Sequence, residues 1–71
     1  YPNPTDGMLT IESNSQGRHS IEISMLNGQV VFVDEMVGNK HLLDLSSFRK
    51  GFYFITIESK DYVTTRKIIR Q

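Results

Sequence analysis

The 71-residue sequence contains neither cysteine nor tryptophan. Without cysteine, neither a disulfide framework nor a thiolate metal site is available to stabilise the fold. This absence does not exclude an extracytoplasmic location. A chain of this length forms one domain that buries only about 60% of its unfolded surface. We therefore predict a single small domain over residues 1–71 with a narrow margin of stability.

An excess of charge of one sign is also missing, because eight Lys and Arg residues balance eight Asp and Glu residues. A neutral balance gives no reason to predict nucleic acid or an anionic membrane surface as a partner. No apolar run approaches the roughly 20 residues that span a bilayer, so no membrane insertion is predicted.

Helical periodicity is absent, since no stretch repeats apolar residues at helical spacing for more than two turns. Short segments that alternate apolar and polar residues recur instead, separated by Gly, Asn and Asp. The predicted strands cover residues 8–13, 20–26, 29–33, 41–45, 52–57 and 62–70, with a strand end, a turn and a strand start over residues 34–40. This spacing predicts an all-β fold, an antiparallel β-sandwich.

The stretch 45–57 begins as a polar corner and ends as a strand. Gly51 stands where the chain bends before this strand, and glycine alone takes positive φ at no steric cost. A corner of this kind is typical of β-sandwiches, where a buried Tyr directs its hydroxyl to the upstream backbone. We predict that Tyr53 is this residue.

Two aromatic residues lie on the strand face opposite Tyr53, namely Phe52 and Phe54. If they are exposed, they form an apolar patch of the kind that marks a partner site. If the strand is central or covered by a loop, both are buried in the fold. The sequence leaves both alternatives open.

Asn27-Gly28 lies between two strand-like runs and is a strong signal for a β-hairpin. A two-residue turn pairs Ile23 with Phe32 and directs Val30 and Phe32 inward. A turn with Gly28 as a bulge pairs Ile23 with Val31 and directs Val31 and Val33 inward. The residues alone do not choose between these registers, which bury opposite faces.

Constellations for catalysis are nearly absent. His19 and Ser20 are neighbours on a predicted strand and point to opposite faces, so they do not form a nucleophile–base dyad. We predict that His19 and His41 are surface residues. The carboxylates are scattered and lack the close odd spacing of a Ca²⁺ loop, and there is no phosphate-binding glycine loop. The sequence therefore predicts no enzyme, cofactor or metal site.

The chain as a whole resembles the C-terminal sorting domain (type A) of the type IX, or Por, secretion system of Bacteroidota-type bacteria. The residues that carry the resemblance are Tyr1-Pro2-Asn3-Pro4, Leu9-Thr10-Ile11, Gly28-Gln29-Val30-Val31, Leu45-Ser46, Gly51-Phe52-Tyr53-Phe54 and Arg66-Lys67-Ile68-Ile69-Arg70. The resemblance rests on the combination of these pieces, which covers the whole chain.

The resemblance implies an immunoglobulin-like sandwich of about seven strands that is not catalytic. It implies a domain at the C-terminus of a larger secreted precursor, from which residues 1–71 are excised. The cargo would pass from the periplasm across the outer membrane through the type IX translocon. At the cell surface a sortase-like peptidase would then remove the domain. The expected partners are thus the translocon, the peptidase and the N-terminal cargo, and the expected location is secreted or on the cell surface.

The resemblance also assigns roles to individual positions. Pro2, Asn3 and Pro4 match the N-terminal motif of the family, Gly28 and Val31 its hairpin, and Gly51 and Tyr53 its Gly-x-Tyr motif. The match at Val31 favours the register with Gly28 as a bulge.

The basic, isoleucine-rich end matches the terminal positions of the family. The translocon would recognise this strand through its charge or its edge, and the residues assigned to recognition are Arg66, Lys67, Ile68, Ile69 and Arg70. On this reading, deleting residues 67–71 abolishes export and leaves much of the sandwich folded. The alternative is a purely structural role, in which β-strand 62–70 is an edge strand and its cations prevent unwanted pairing with other strands.

This sequence departs from the family in two places. Met25 stands where an acidic residue is common, and Arg stands at positions 66 and 70 where Lys is commoner. Arg keeps the charge but changes the donor geometry. The alternative function is a small carbohydrate-binding or adhesion module, for which Phe52 and Phe54 are the only candidate platform.

Overall fold

The computed structural model describes residues 6–14 and 17–71. The predicted motif of Pro2, Asn3 and Pro4 lies outside these residues. The described part contains six strands: β1 (Met8–Glu12), β2 (Arg18–Met25), β3 (Val30–Val37), β4 (Lys40–Asp44), β5 (Gly51–Glu58) and β6 (Val63–Arg70). Within it, no helix has the length and apolar character needed to cross a membrane.

The strands form two antiparallel sheets that pack face to face. One sheet has four strands in the order β3-β2-β5-β6, and the other pairs β1 with β4. The prediction of an antiparallel β-sandwich is confirmed, with six strands rather than about seven in residues 6–14 and 17–71.

The core lies between the sheets and follows from alternation along each strand, because every second side chain points inward. Ile21 and Ile23 of β2 are fully buried, with exposed or half-buried polar residues between and beside them. The complete set of buried apolar residues is Leu9, Ile11, Ile21, Ile23, Met36, Leu43, Leu45, Tyr53, Ile55 and Ile68.

The hairpin between β2 and β3 combines features of the two predicted registers. The N–H of Gly28 donates to the carbonyl of Met25 (2.9 Å), the N–H of Met25 donates to the carbonyl of Gln29 (2.8 Å), and Gly28 has φ +93°. Gly28 therefore forms the predicted bulge, since glycine adopts this φ readily.

A second irregularity then shifts the register, so that Ile23 pairs with Phe32 rather than with Val31. Val31 is the extra residue of this second bulge and is 40% exposed, and Val33 is 68% exposed. The prediction that Val31 and Val33 point into the core is wrong. Phe32 packs against the core instead, because one inserted residue reverses the alternation that follows.

The corner before β5 has the predicted form. The hydroxyl of Tyr53 donates to the carbonyl oxygen of Arg49 at 2.7 Å, and the ring is buried. Phe48 packs edge-on against Tyr53, with ring centroids 5.4 Å apart. Gly51 has φ +146°, which residues with a side chain rarely adopt. This corner fixes the position at which β5, and with it β6, enters the four-stranded sheet.

Candidate recognition surface on the last two strands

Strand β6 divides the residues assigned to recognition between the two faces of the four-stranded sheet. Arg66 and Ile68 pair with Ile55 and Tyr53, whose side chains point inward. Lys67 pairs with Phe54 on the outer face, and Ile69 lies on the outer face with Lys67 because residues i and i+2 of a strand share a face. The basic residues at the end of β6 therefore belong to two different surfaces, one on each face of the sheet.

Two of the inward-facing residues hold the fold together. Ile68 is only 3% exposed and belongs to the core. Arg70 is half-buried; its Nε donates to the carbonyl of Leu45 at 3.0 Å and its Nη2 donates to the carbonyl of Ser46 at 3.3 Å. Both residues thereby fix the end of β6 to the corner that follows β4.

A carboxylate stands beside this attachment. The hydroxyl and the backbone N–H of Ser46, in that order, lower the pKa of Asp44, and the nearby charge of Arg70 adds to this effect. The N–H of Ser46 lies 2.9 Å from Oδ1 of Asp44. Asp44 therefore stays ionised beside the guanidinium of Arg70.

The third inward-facing position, Arg66, is exposed. It lines an open groove between the sheets, along β1 and β6, together with Thr10 and Ile57. Because the paired sheet β1–β4 has two strands and the other sheet has four, part of the inner face near β6 is left accessible there.

The outer face of β5 and β6 carries a group that we call the aromatic–cation patch, formed by Phe52, Phe54, Lys67 and Ile69. The ammonium of Lys67 lies 4.7 Å from the centroid of the Phe52 ring, within the range of a cation–π interaction. Phe52 is 48% exposed, whereas Phe54 and Ile69 are half-buried. Of the two alternatives for the Phe pair, the structure shows that neither ring belongs to the buried core.

Charge is unevenly distributed along this sheet. Exposed Arg49 and Lys50 immediately precede β5, and Lys67 and Arg70 lie beside the first rows of that strand. Glu58 lies at the other end of β5, and Glu22 pairs with Thr56 in the same half. The aromatic–cation patch therefore lies at the cationic end of the sheet.

His19 is buried, with 1% exposure, so the prediction that it is a surface residue is wrong. Its Nε2 lies 3.3 Å from Oγ of Ser13, which in turn lies 2.9 Å from the hydroxyl of Tyr62. The rings of His19 and Tyr62 are tilted, with centroids 6.1 Å apart. This polar cluster connects β2 to the chain beyond β1 and to the β5–β6 hairpin, and the sequence prediction missed it.

The alternation of β2 contained the signal for this cluster, because His19 has the same parity as Ile21 and Ile23. Ser20 points to the opposite face and is exposed, so His19 and Ser20 do not form a dyad, as predicted.

His41 is half-buried, and its Nε2 lies 3.1 Å from Oδ2 of Asp34. This pair joins β4 of one sheet to β3 of the other. The backbone N–H of Glu35 and then the hydrogen bond from His41 lower the pKa of Asp34. Across residues 6–14 and 17–71, no three His, Asp or Glu side chains come together as a metal site would require.

The fold and the surface define a class, a small β-sandwich whose final strand is part of its core and whose outer face carries an exposed aromatic and a cation. A family model for the secretion system C-terminal sorting domain matches residues 1–71, and the chain belongs to this family. No curated protein matches the chain.

Membership indicates a C-terminal sorting signal for type IX secretion. It implies an interaction with the type IX machinery and a cargo N-terminal to the domain. It also implies export across the outer membrane to the cell surface or the medium.

Proposed function

We propose that residues 1–71 form the C-terminal domain of a larger precursor and direct that cargo from the periplasm through the type IX translocon. A sortase-like peptidase then removes the domain at the cell surface. The domain acts by being recognised and performs no catalysis itself. The observation that carries this proposal is the match of the sorting-domain family over the whole chain.

The fold supports a role as a sorting signal, because the domain has its own core and holds its terminal strand in a defined position. A signal shared by different cargoes must fold without help from the cargo and present a constant surface. The described residues have their own core of ten apolar side chains. Since Ile68 lies in that core and Arg70 is attached to the carbonyls of Leu45 and Ser46, the terminal strand has a defined position.

The five residues assigned to recognition by the translocon then divide into two roles. Ile68 and Arg70 position β6, and through it they act on recognition indirectly. Lys67 and Arg66 are exposed and are the charges that the translocon reads, with Ile69 beside Lys67 as an apolar contact. Gly51 and Tyr53 affect recognition only indirectly, because they determine the shape of the corner from which the β5–β6 hairpin extends.

A transport assay tests the proposal. Residues 1–71 are fused to the C-terminus of a periplasmic fluorescent protein and expressed in a type IX-competent strain and in a translocon-defective strain. We expect the reporter outside the cells only in the competent strain. A folded fusion that stays in the periplasm of both strains would contradict the proposed function. Mass spectrometry of the exported reporter checks removal of the domain, since an intact fusion in the medium would contradict the cleavage step.

A carbohydrate-binding or adhesion module is the second candidate, and one observation favours it: Phe52 is exposed on the outer face of the four-stranded sheet. One contact opposes it, because Lys67 lies over one face of the Phe52 ring and leaves only the other face for a sugar to stack on. A glycan array with the purified domain separates the two functions. Glycan binding that is lost in Phe52→Ala, together with no export of the fusion, would establish the module instead.

A further inference from the structure

The aromatic–cation patch combines three properties: an exposed aromatic ring, a cation positioned over that ring, and apolar side chains beside both. Phe52 is large, apolar and 48% exposed. Lys67 is held above its ring, 4.7 Å from the centroid. Phe54 and Ile69 extend the apolar surface on either side, since Phe54 pairs with Lys67 and Phe52 pairs with Ile69. Aromatic residues, Phe among them, are enriched at protein interfaces, and a cation held over the ring adds a charged contact at the same point.

The charges around the patch indicate what it binds. Arg49 and Lys50 precede β5 at the same end of the sheet, and Arg70 pairs with Gly51 there, although its guanidinium binds the carbonyls of Leu45 and Ser46 rather than lying on the outer face. Asp44, whose pKa is lowered by Ser46, is the carboxylate near Arg70. This end of the domain is therefore cationic, and a complementary surface carries carboxylates.

The rest of the same face argues against an extended anionic surface such as a lipid headgroup layer. Glu22 and Glu58 lie on this outer face in the half away from the patch. If the sheet lay flat on an anionic bilayer, both carboxylates would meet like charge. The zero net charge of the chain also provides no general attraction to such a surface. A partner with carboxylates confined to one place avoids this repulsion.

We propose that the aromatic–cation patch is a docking surface for a protein partner that places a carboxylate next to an apolar side chain. The carboxylate binds Lys67 and the apolar side chain covers Phe52, with Phe54 and Ile69 as the edge of the contact. This inference rests on the proposed function and deepens it, because it states the chemistry of the translocon surface that reads the domain. It places the main contact on the outer face shared by β5 and β6, whereas Arg66 lies on the other face and is a separate charge beside it.

The test uses the reporter fusion with three patch variants, Phe52→Ala, Lys67→Glu and Lys67→Arg. The matched controls are Val63→Ala, an exposed apolar residue at the other end of β6, and Lys60→Glu, an exposed cation in the β5–β6 hairpin. Each purified domain is melted first. All five variants should stay within about 4 °C of wild type, the shift that corresponds to about 1 kcal/mol in a domain of this size.

We expect Lys67→Glu and Phe52→Ala to lower the exported reporter roughly tenfold, the effect of losing about 1.4 kcal/mol of binding. Lys67→Arg and both controls should export like wild type. If the folded patch variants are exported normally, or if the controls lose export equally, the inference is overturned. If wild type itself is not exported, the proposed function fails first and the inference fails with it.

A second arm distinguishes a protein partner from a lipid surface. The wild-type domain and Lys67→Glu are sedimented with phosphatidylcholine vesicles that contain phosphatidylglycerol. We expect no binding of either protein at physiological salt. Binding by wild type that Lys67→Glu abolishes would overturn the protein partner in favour of an anionic lipid surface.

Discussion

Arg70 of the last strand binds the carbonyl oxygen of Leu45 through Nε at 3.0 Å, which connects residues that are 25 positions apart in the chain. Leu45 is fully buried, and its carbonyl belongs to the segment that leads into the corner before β5. A charge that the family resemblance assigns to recognition is thus part of the structure that holds β6 in place.

Arg70→Ala should destabilise the domain, because a hydrogen bond to a charged group contributes about 1.5–3 kcal/mol and the variant loses the bonds to the carbonyls of Leu45 and Ser46. The Leu45 carbonyl keeps its bond from the N–H of Phe48. Arg70→Lys should recover only part of this stability, since one ammonium does not reproduce the fork of a guanidinium. Urea unfolding of both variants measures the effect, with Lys50→Ala as an exposed control. Equal stability of Arg70→Ala and wild type would show that the attachment is not formed in solution.

Deleting residues 67–71 should unfold most molecules, contrary to the expectation from sequence that the sandwich would survive. The deletion removes Ile68, which is 3% exposed in the core, together with Arg70. Loss of a core Ile alone costs about 2–5 kcal/mol, against a small total stability. Circular dichroism of the truncated domain checks this. A folded truncation would restore the view that the terminal strand is a separable signal.

Tyr53 allows the ring and the hydroxyl to be tested separately. Tyr53→Ala should cost about 3–5 kcal/mol because it removes a core aromatic. Tyr53→Phe keeps the ring against Phe48 and should cost about 1 kcal/mol, the value of the hydrogen bond to the Arg49 carbonyl. Denaturation midpoints of the two variants give the comparison. If Tyr53→Phe were as unstable as Tyr53→Ala, the corner hydrogen bond rather than ring packing would dominate.

Much of the fold could be predicted from the sequence, because alternation and turn residues are local signals. The corner at Tyr53, the bulge at Gly28 and the turn at Gly38-Asn39 all occur where the residues indicated them. The second bulge at Val31 could not, since no turn residue marks it and a bulge is decided by how both strands pack.

The candidate site was harder to predict for a related reason. Alternation placed Lys67 and Ile68 on opposite faces, but it did not show which face of β6 meets the core until the pairing with β5 was known. His19 shows the opposite case, because the alternation of its strand indicated an inward position, but His is intermediate in its tendency to be buried and the prediction placed it at the surface.

His19 should be important for stability, although no role was predicted for it from the sequence. His19→Ala opens a cavity and removes the contact with Ser13, which together should cost roughly 2–4 kcal/mol. His41→Ala is the matched control, because it removes the same type of side chain from a different position. Loss of the His41 side chain should cost less than about 1 kcal/mol, since its pair with Asp34 is partly exposed. Thermal melting of both variants decides the order. A smaller effect at His19 than at His41 would contradict the importance of the buried cluster.

The pair of Asp34 and His41 should make the stability of the domain depend on pH in the acidic range. The backbone N–H of Glu35 and the ring of His41 lower the pKa of Asp34 in the folded state. A carboxylate with a depressed folded pKa stabilises the fold fully above its unfolded pKa, about 3.9, and this stabilisation is lost as the pH falls through the folded pKa. Asp34→Asn should therefore be less stable than wild type at neutral pH, and the difference should shrink below about pH 4.

Urea midpoints at several pH values between neutral pH and strong acid measure this convergence. Asp61→Asn, which removes one exposed carboxylate from the β5–β6 hairpin, is the control. If Asp61→Asn changed the acid limb as much as Asp34→Asn, relief of general charge would explain the effect. Convergence confined to Asp34→Asn would instead locate the acid sensitivity in the Asp34 carboxylate, which joins the two sheets through His41.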